Sequence, residues 1–319
     1  MNRWTRASER IAVSSLIALV LATAAGFIKG APWWLEVFVH FRWQYVLASL
    51  PLLAFFTYRR GLREALVAGL VALANGIPVA DVHFAGSSDA AAAHPGGRAT
   101  VLSFNLWDEN SNRAAVSAYL AGSSADLVFL TEVTPDWLAA LSDLDTIYPH
   151  RYDVGDTALT DGVRLGVMVL FKDPLIETRT LVDGPSGHAF AQIARVDRPG
   201  ASWTLIGVHL HKPLFDEVTH QDRQLKALTR VARDAPGPVI VAGDFNMTPF
   251  SPKFRTLLSE TGTTRAAGGL NPSWPSWTGP FGIPIDNVLA KRGMRARTAV
   301  GPHMGSDHRP MVTDIEWDG

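Results

Sequence analysis

The chain has 319 residues, 47% of them hydrophobic and 18% charged, with a formal net charge of -1 and no cysteine. That is the composition of a folded protein, long enough for one large domain with an appendage or for two domains. Without cysteine there is no thiol nucleophile, disulfide or thiolate metal site, and near-neutral charge excludes a global basic field that would attract nucleic acid.

Residues 1–97 carry 8 Lys and Arg against 5 Asp and Glu, a balance of +3, which leaves 21 against 25, a balance of -4, for residues 98–319. The C-terminal part is therefore mildly acidic, which disfavours non-specific polyanion binding. The N-terminal part holds three apolar runs, Ile11 to Ile28, Trp43 to Tyr58 and Ala65 to Ala80. They suit short transmembrane helices. Pro51 and Pro78 are tolerable in such helices, and Trp33, Trp34, Trp43 and Tyr58 suit interfacial belts. A signal peptide shares the basic start at Arg3, Arg6 and Arg10, and a buried helical hairpin is the soluble alternative. Three runs in succession favour an anchor. With three spans, the N-terminus and the Arg59–Arg63 loop lie on one side, which the positive-inside rule makes cytoplasmic. The predicted organisation is a membrane anchor over residues 1–84, a flexible linker over 85–98, and a soluble domain over 99–319. In a bacterial inner membrane that domain would be periplasmic or extracellular.

Within the soluble domain, Ala99 to Phe104 reads as a strand ending in Asn105-Leu106-Trp107-Asp108. Asn112 to Ala121 reads as an amphipathic helix with Ala115, Tyr119 and Leu120 near one face. Ala125 to Leu130 is a strand that places Glu132 just past its end. Arg164 to Phe171 and Ala189 to Val196 are further strands. Trp203 to Val208 leads into His209-Leu210-His211, two imidazoles on one face if the strand continues. A zinc site there would need a third ligand that the neighbouring sequence does not show; the alternative is an imidazole hydrogen-bonding a phosphoryl oxygen. His220 to Arg233 follows as a helix with a solvated face of Arg223, Lys226, Arg230 and Arg233.

Val239 to Gly243 is an apolar strand that delivers Asp244 and Asn246 together at its end. Turn residues would look the same. Pro272 to Pro284 reads as an ordered loop whose Trp274 and Trp277 either line a groove or cover the core. Ile285 to Leu289 is a strand of imperfect alternation containing Asp286 and Asn287, and Ser306-Asp307-His308 precedes a last strand. One polar strand end is ordinary. Six or seven at the same relative place point to one rim and one site. The inventory is oxygen-rich with imidazoles, which fits Mg²⁺ or Mn²⁺ and phosphoester hydrolysis.

The order LSFNLW, LTEV, GVHL, GDFN, IDNVL, SDHRP resembles the endonuclease/exonuclease/phosphatase superfamily, the DNase I-like group, over about residues 99–316. The resemblance implies a four-layered α/β sandwich, two packed β-sheets flanked by helices. It also implies a metal-dependent phosphodiesterase or endonuclease-like hydrolase; a phospholipase, sphingomyelinase or phosphomonoesterase is the alternative, and an inactive binding scaffold the non-enzyme one. By position, Glu132 would bind the metal, helped by Asn105 and Asp307. His308 would activate the attacking water or stabilise the phosphorane, oriented by Asp286. Asp244 and Asn246 would position the nucleophile and a phosphate oxygen, and His209 would bind the scissile phosphate. His211 has no firm counterpart. Trp107 and Asn287 stand where some relatives have Asp and His or Tyr, and Asp108 is one place off the ligand position. The substrate would be a nucleic acid or a phospholipid head group.

Overall fold

A computed structural model describes residues 3–85, 95–153, 166–184, 188–197, 202–266, 268–291 and 293–318. Most of the expected linker, residues 86–94, and the Arg164 start of one expected strand lie outside them. The chain divides into two compact units, one of residues 1–83 with 250–252 and the other of residues 84–249 with 253–319.

The first unit is helical: α1 (Arg3–Ala25), α2 (Trp33–Glu36) running into a 3-10 turn, α3 (Arg42–Tyr58) and α4 (Leu62–Phe84). Pro51 and Pro78 sit inside continuous helices. Two segments, Arg6–Ala25 and Leu62–Phe84, are long and apolar enough to cross a membrane. The third expected span, α3, has 17 residues, about 26 Å at 1.5 Å per residue, less than the ~30 Å of a hydrocarbon core. Leu66, Leu70, Leu73 and Ile77 make an exposed apolar stripe on α4, and Ile11, Ile17 and Leu21 do the same on α1. A polar cluster lies inside, beside an apolar one of Ala12, Leu16, Phe56, Ala65 and Ala68. Buried Asn75 donates to Thr23 Oγ1 (3.0 Å) and accepts from Arg42 Nη1 (3.3 Å), and Arg42 Nη2 donates to Gly26 O (2.8 Å).

The second unit runs β1 (Pro95–Asn105), α5 (Arg113–Ala121), β2 (Leu127–Val133), α6 (Pro135–Ala140), β3 (His150–Asp153), β4 (Gly166–Phe171), β5 (Leu175–Asp183), β6 (His188–Val196), β7 (Trp203–His209), α7 (Glu217–Asp234), β8 (Val239–Asp244), α8 (Pro252–Thr261), β9 (Thr263–Arg265), β10 (Asp286–Lys291), β11 (Arg295–Val300) and β12 (Met311–Asp318). The strands form two six-stranded sheets, ordered β11-β12-β1-β2-β4-β3 and β5-β6-β7-β8-β10-β9.

Alternation along the strands builds the layers. Val101, Leu127, Phe129 and Val169 of the first sheet meet Leu205, Ile240, Ala242 and Val288 of the second in one core. Their neighbours face outward: Leu102, Val128 and Leu130 pack on Val116, Leu120 and Trp137 of α5 and α6, while Ile206, Val208 and Val241 pack on Leu228, Phe254 and Leu257 of α7 and α8. The expected four-layered α/β sandwich is thus observed. A Cβ on Gly207 would come within 2.3 Å of the Phe129 ring, so glycine there lets the sheets close.

Several details differ from the sequence reading. The amphipathic face of α5 is Val116 and Leu120 at i, i+4, and Ala115 is exposed. β2 runs through Glu132 to Val133 instead of ending before it. A 3-10 segment, Ser276–Phe281, interrupts the expected loop. Asp286 and Val288 share the inner face while Asn287 and Leu289 point out, where Asn287 Oδ1 accepts from buried Arg265 Nε at 2.7 Å. Strands β3, β5, β9 and β11 were not apparent in the sequence, because short or exposed edge strands lack an apolar run.

Candidate active site

The alternation that fills the inter-sheet core also builds a cleft at one end of it. Continuing the inner faces of β1, β7, β8 and β10 in steps of two reaches Asn105, His209, Asp244 and Asp286. Register brings them level: His209 is paired with Asp244 across β7 and β8, and Asp286 with Asp244 across β10 and β8. The sheets meet here through polar atoms, since Asn105 Nδ2 lies 3.3 Å from Asp244 Oδ2. Glu132 breaks the alternation. The β2–β4 register shifts between Thr131 and Val133, and Glu132 has φ +56°, so a bulge turns towards the cleft a side chain that parity would send outward. Its Oε1 accepts from Asn105 Nδ2 at 2.9 Å and its Oε2 from the Asp108 N–H at 3.3 Å.

Asn105 therefore serves the cleft as a donor to two carboxylates, and its own Oδ1 accepts from the Trp107 N–H at 3.0 Å. The carboxylate of Asp108 is spent on a local turn with Glu109 N–H. His209 Nε2 stands 3.7 Å from Glu132 and 3.8 Å from Asp244. Asn246, with φ +49°, donates its backbone N–H to Asp244 Oδ1 (2.8 Å) and its Nδ2 to Leu210 O (2.7 Å). It holds Asp244 and the exit of β7 together.

His308 is buried against β10. Its Nδ1 is 2.7 Å from Asp286 Oδ2, which leaves Nε2 facing the cleft at 3.7 Å from Asp244 and 3.9 Å from Asp307. Asp307 accepts from Trp274 Nε1 at 3.0 Å, so Trp274 is tied to the site while Trp277 is exposed. Ser306, not anticipated from the sequence, joins the sheets to the histidine loop: its Oγ donates to Asn105 O (2.7 Å) and accepts from the His308 N–H (3.0 Å). Ser273 similarly accepts the Asp286 N–H. A serine beside an acid or a histidine is too common in sequence to single out.

Charge is concentrated. Burial, reinforced by Asp286, raises the Asp244 carboxyl to about 7 against the pull of His308, the Asn246 N–H and Asn105. Burial would lower His308, but the carboxylates of Asp286, Asp244 and Asp307 overcome it and raise the imidazole to about 10. Asp307 is raised by burial, with Glu132 and Asp286 adding to it. Asp244, Asp286 and His308 each bring a ligand atom within 4.8 Å of the others. Carboxylates crowded in a buried cleft favour a hard divalent cation, which relieves their repulsion and takes oxygen ligands. The residues present fit such an ion. His211 leaves this site: its ring faces Asp183 and Glu217, whereas that of His209 faces Glu132 and Asp244.

The profile of the Endonuclease/Exonuclease/phosphatase family matches residues 102–308. No curated protein sequence matches the chain. Among solved structures, an endonuclease/exonuclease/phosphatase from Bacteroides vulgatus superposes with a TM-score of 0.58 at 16% identity, covering 70% of this chain and 100% of that one. D. rerio TDP2 complexed with single strand DNA product gives 0.55 at 18%, covering 69% and 99%. SmcL gives 0.55 at 17%, covering 70% and 99%. At such identities the likeness is one of fold.

Proposed function

The chain belongs to the Endonuclease/Exonuclease/phosphatase family, and on that premise we propose that residues 99–319 form a Mg²⁺- or Mn²⁺-dependent hydrolase of phosphodiesters. The observation that carries the reading is the meeting of Glu132, Asp244, Asp307, His209 and the Asp286–His308 pair in one buried cleft between the sheets.

Glu132 and Asp307, with Asp244 beside them, would hold the ion, and Asn105 would keep Glu132 and Asp244 in place. When bound, such a cation polarises a phosphoryl oxygen and offsets charge on the leaving oxygen. Asp286 accepts from Nδ1–H of His308 and so fixes its orientation. The 3.7 Å gap between His308 Nε2 and Asp244 Oδ2 is too long for a direct hydrogen bond, and a water oxygen there would reach both groups. Asp244 takes the proton of the attacking water. The new P–O bond forms as the bond to the leaving alcohol breaks. His308 and His209 donate to the phosphoryl oxygens, where charge develops in the transition state.

Phospholipid head groups are the second reading of the substrate. Trp277, 65% accessible and next in sequence to Ser276, whose N–H donates to Asp307 O at 2.7 Å, offers an apolar contact that a free nucleotide would not need. The activity test uses full-length protein in detergent with Mg²⁺, Mn²⁺ or chelator on single- and double-stranded DNA, RNA, phospholipids and inositol phosphates. Metal-dependent hydrolysis that is lost in Asp244→Ala and His308→Ala supports the assignment; unchanged rates in both variants would sink it.

The exposed apolar stripes of α1 and α4 and their length and hydropathy support a membrane anchor over residues 1–84. Its basic ends would be cytoplasmic and the catalytic domain on the far side of a bacterial inner membrane. An alkaline-phosphatase fusion after Gly97 is expected to be active, and an inactive fusion refutes that orientation.

A further inference from the structure

A second cluster of ligating side chains lies along the rim of the β5-to-β9 sheet. β5 ends at Asp183, His211 follows β7 by two residues, and His220 sits in the first turn of α7. Each offers one ligand atom, all within 4.8 Å of one another. Asp183 is buried and both imidazoles are partly exposed, so a solvent ion can reach it. His220 Nδ1 and His211 Nε2 face the same oxygen, Asp183 Oδ2, at 2.5 and 3.8 Å, with ring centroids 4.9 Å apart.

Three features go beyond proximity. His211 turns Nε2 to Asp183 and Nδ1 to Glu217 Oε2, 3.5 Å away. A carboxylate on the far nitrogen of a histidine fixes the tautomer that leaves the near lone pair for a metal. The peptide of His211 is also clamped: its N–H donates to Gln224 Oε1 (2.8 Å) and its carbonyl accepts from Gln221 Nε2 (2.7 Å). Both glutamines are buried on α7. An ordinary surface histidine does not require two buried amides to hold it. Finally, His220 Nδ1 faces both Asp183 Oδ2 and Arg223 Nη2, the latter at 2.9 Å. One ring nitrogen either donates to the carboxylate or accepts from the guanidinium. A zinc ion there would replace the direct contact, opening Nδ1 and Oδ2 from 2.5 Å to the roughly 3.3 Å that tetrahedral ligands require and displacing Arg223 Nη2, while Arg223, half exposed, keeps Asp183 Oδ1 through Nε at 3.3 Å.

We propose that Asp183, His211 and His220 form a zinc site that shares no ligand with the catalytic cleft, with Glu217 orienting His211. Two imidazole nitrogens and one carboxylate are a donor set of zinc, whereas the cleft is oxygen-rich and suits harder ions. Leu210, between His209 and His211, donates to Asp244 O and accepts from Asn246 Nδ2. An ion on His211 would fix the segment along which β7 delivers His209.

The test is Co²⁺ and Zn²⁺ titration of chelator-stripped, full-length protein in detergent, with folding checked by circular dichroism. One equivalent of Co²⁺ is expected to give the visible band of a tetrahedral site, displaced by Zn²⁺. His211→Gln and His220→Gln should abolish the band, Glu217→Gln should weaken binding by about 10- to 100-fold, and Glu132→Gln in the cleft should leave the band intact. No tetrahedral band in the wild type overturns the proposal. So does a band that survives both histidine substitutions, or one lost in Glu132→Gln but kept in His211→Gln, which would place the ion in the cleft. None of these readouts depends on catalytic activity, so this inference and the hydrolase reading can fail separately.

Discussion

Gly243→Ala tests whether the end of β8 is shaped for the cleft. Gly243 has φ +143°, and a Cβ there would lie 2.0 Å from Val208 O and 2.9 Å from Val208 C. Against a favourable contact of about 3.5 Å, β7 must retreat by roughly 1.5 Å at that carbonyl. The backbone conformation costs about 1–3 kcal/mol with a side chain and the overpacking about 1–3 kcal/mol more. A loss of ~2–6 kcal/mol is a large part of the ~5–15 kcal/mol that holds a typical domain. Val208 pairs with Gly243 and His209 with Asp244 in consecutive register, so the displacement passes straight into the cleft. A 1 Å misplacement costs about 100-fold in rate. The assay is urea unfolding of the detergent-solubilised protein, followed by the hydrolysis rate under conditions where the variant is folded. A wild-type midpoint together with a wild-type rate would refute the reasoning.

Asp286→Asn keeps the shape of the Asp286–His308 contact but removes the charge that orients the imidazole; a rate loss of about 10³- to 10⁴-fold in a folded protein is expected, and a loss below tenfold would mean that His308 needs no orienting carboxylate. Ser306→Ala unties the His308 loop from β1 and strands a buried carbonyl hydrogen bond; a stability loss of about 1–3 kcal/mol with a fall in kcat is expected, and an unchanged kcat would make Ser306 purely structural. The metal-free cleft should also make stability fall with pH. Asp244, raised by burial to about 7, and His308, raised by its carboxylates against burial to about 10, both hold protons that the unfolded chain has released. The Asp244 contribution is complete below about pH 4 and lost through pH 7, and the His308 contribution is complete below about pH 6.5 and lost through pH 10. The Tm of chelator-treated protein is therefore expected to drop between about pH 4 and pH 10, and added Mg²⁺ to flatten the drop; a flat profile in chelator would contradict the described electrostatics.

The apolar strands and their polar ends were legible because period-two alternation and burial leave direct marks in sequence. The residues of GDFN and SDHRP meet in one cleft. The imperfect alternation of Ile285 to Leu289 could not be assigned a face, because Asn287 is an outward-facing polar residue held inside the protein by Arg265. Glu132 was expected past the end of a strand, and only the bulge explains how it turns inward. Asn105 is expected to help Glu132 bind the metal, and the way its amide faces is set by the backbone N–H of Trp107, which sequence does not reveal. His211 has no role legible in the sequence because its partners are Asp183, upstream on an exposed edge strand, and His220, inside a helix that begins at Glu217. None of these distant pairings has a local signature.

β8 is apolar on both faces: Ile240 and Ala242 point to the other sheet, Val239 and Val241 to the helices. Sliding it by one residue would exchange one greasy set for another, so hydrophobicity hardly resists the slip. What resists is its last two residues. Gly243 alone fits against Val208, and Asp244 alone has ready partners on both sheets. The cleft therefore acts as the reading frame of the central strand. The residues proposed for chemistry also tell the chain where β8 stops, and replacing them would loosen its alignment.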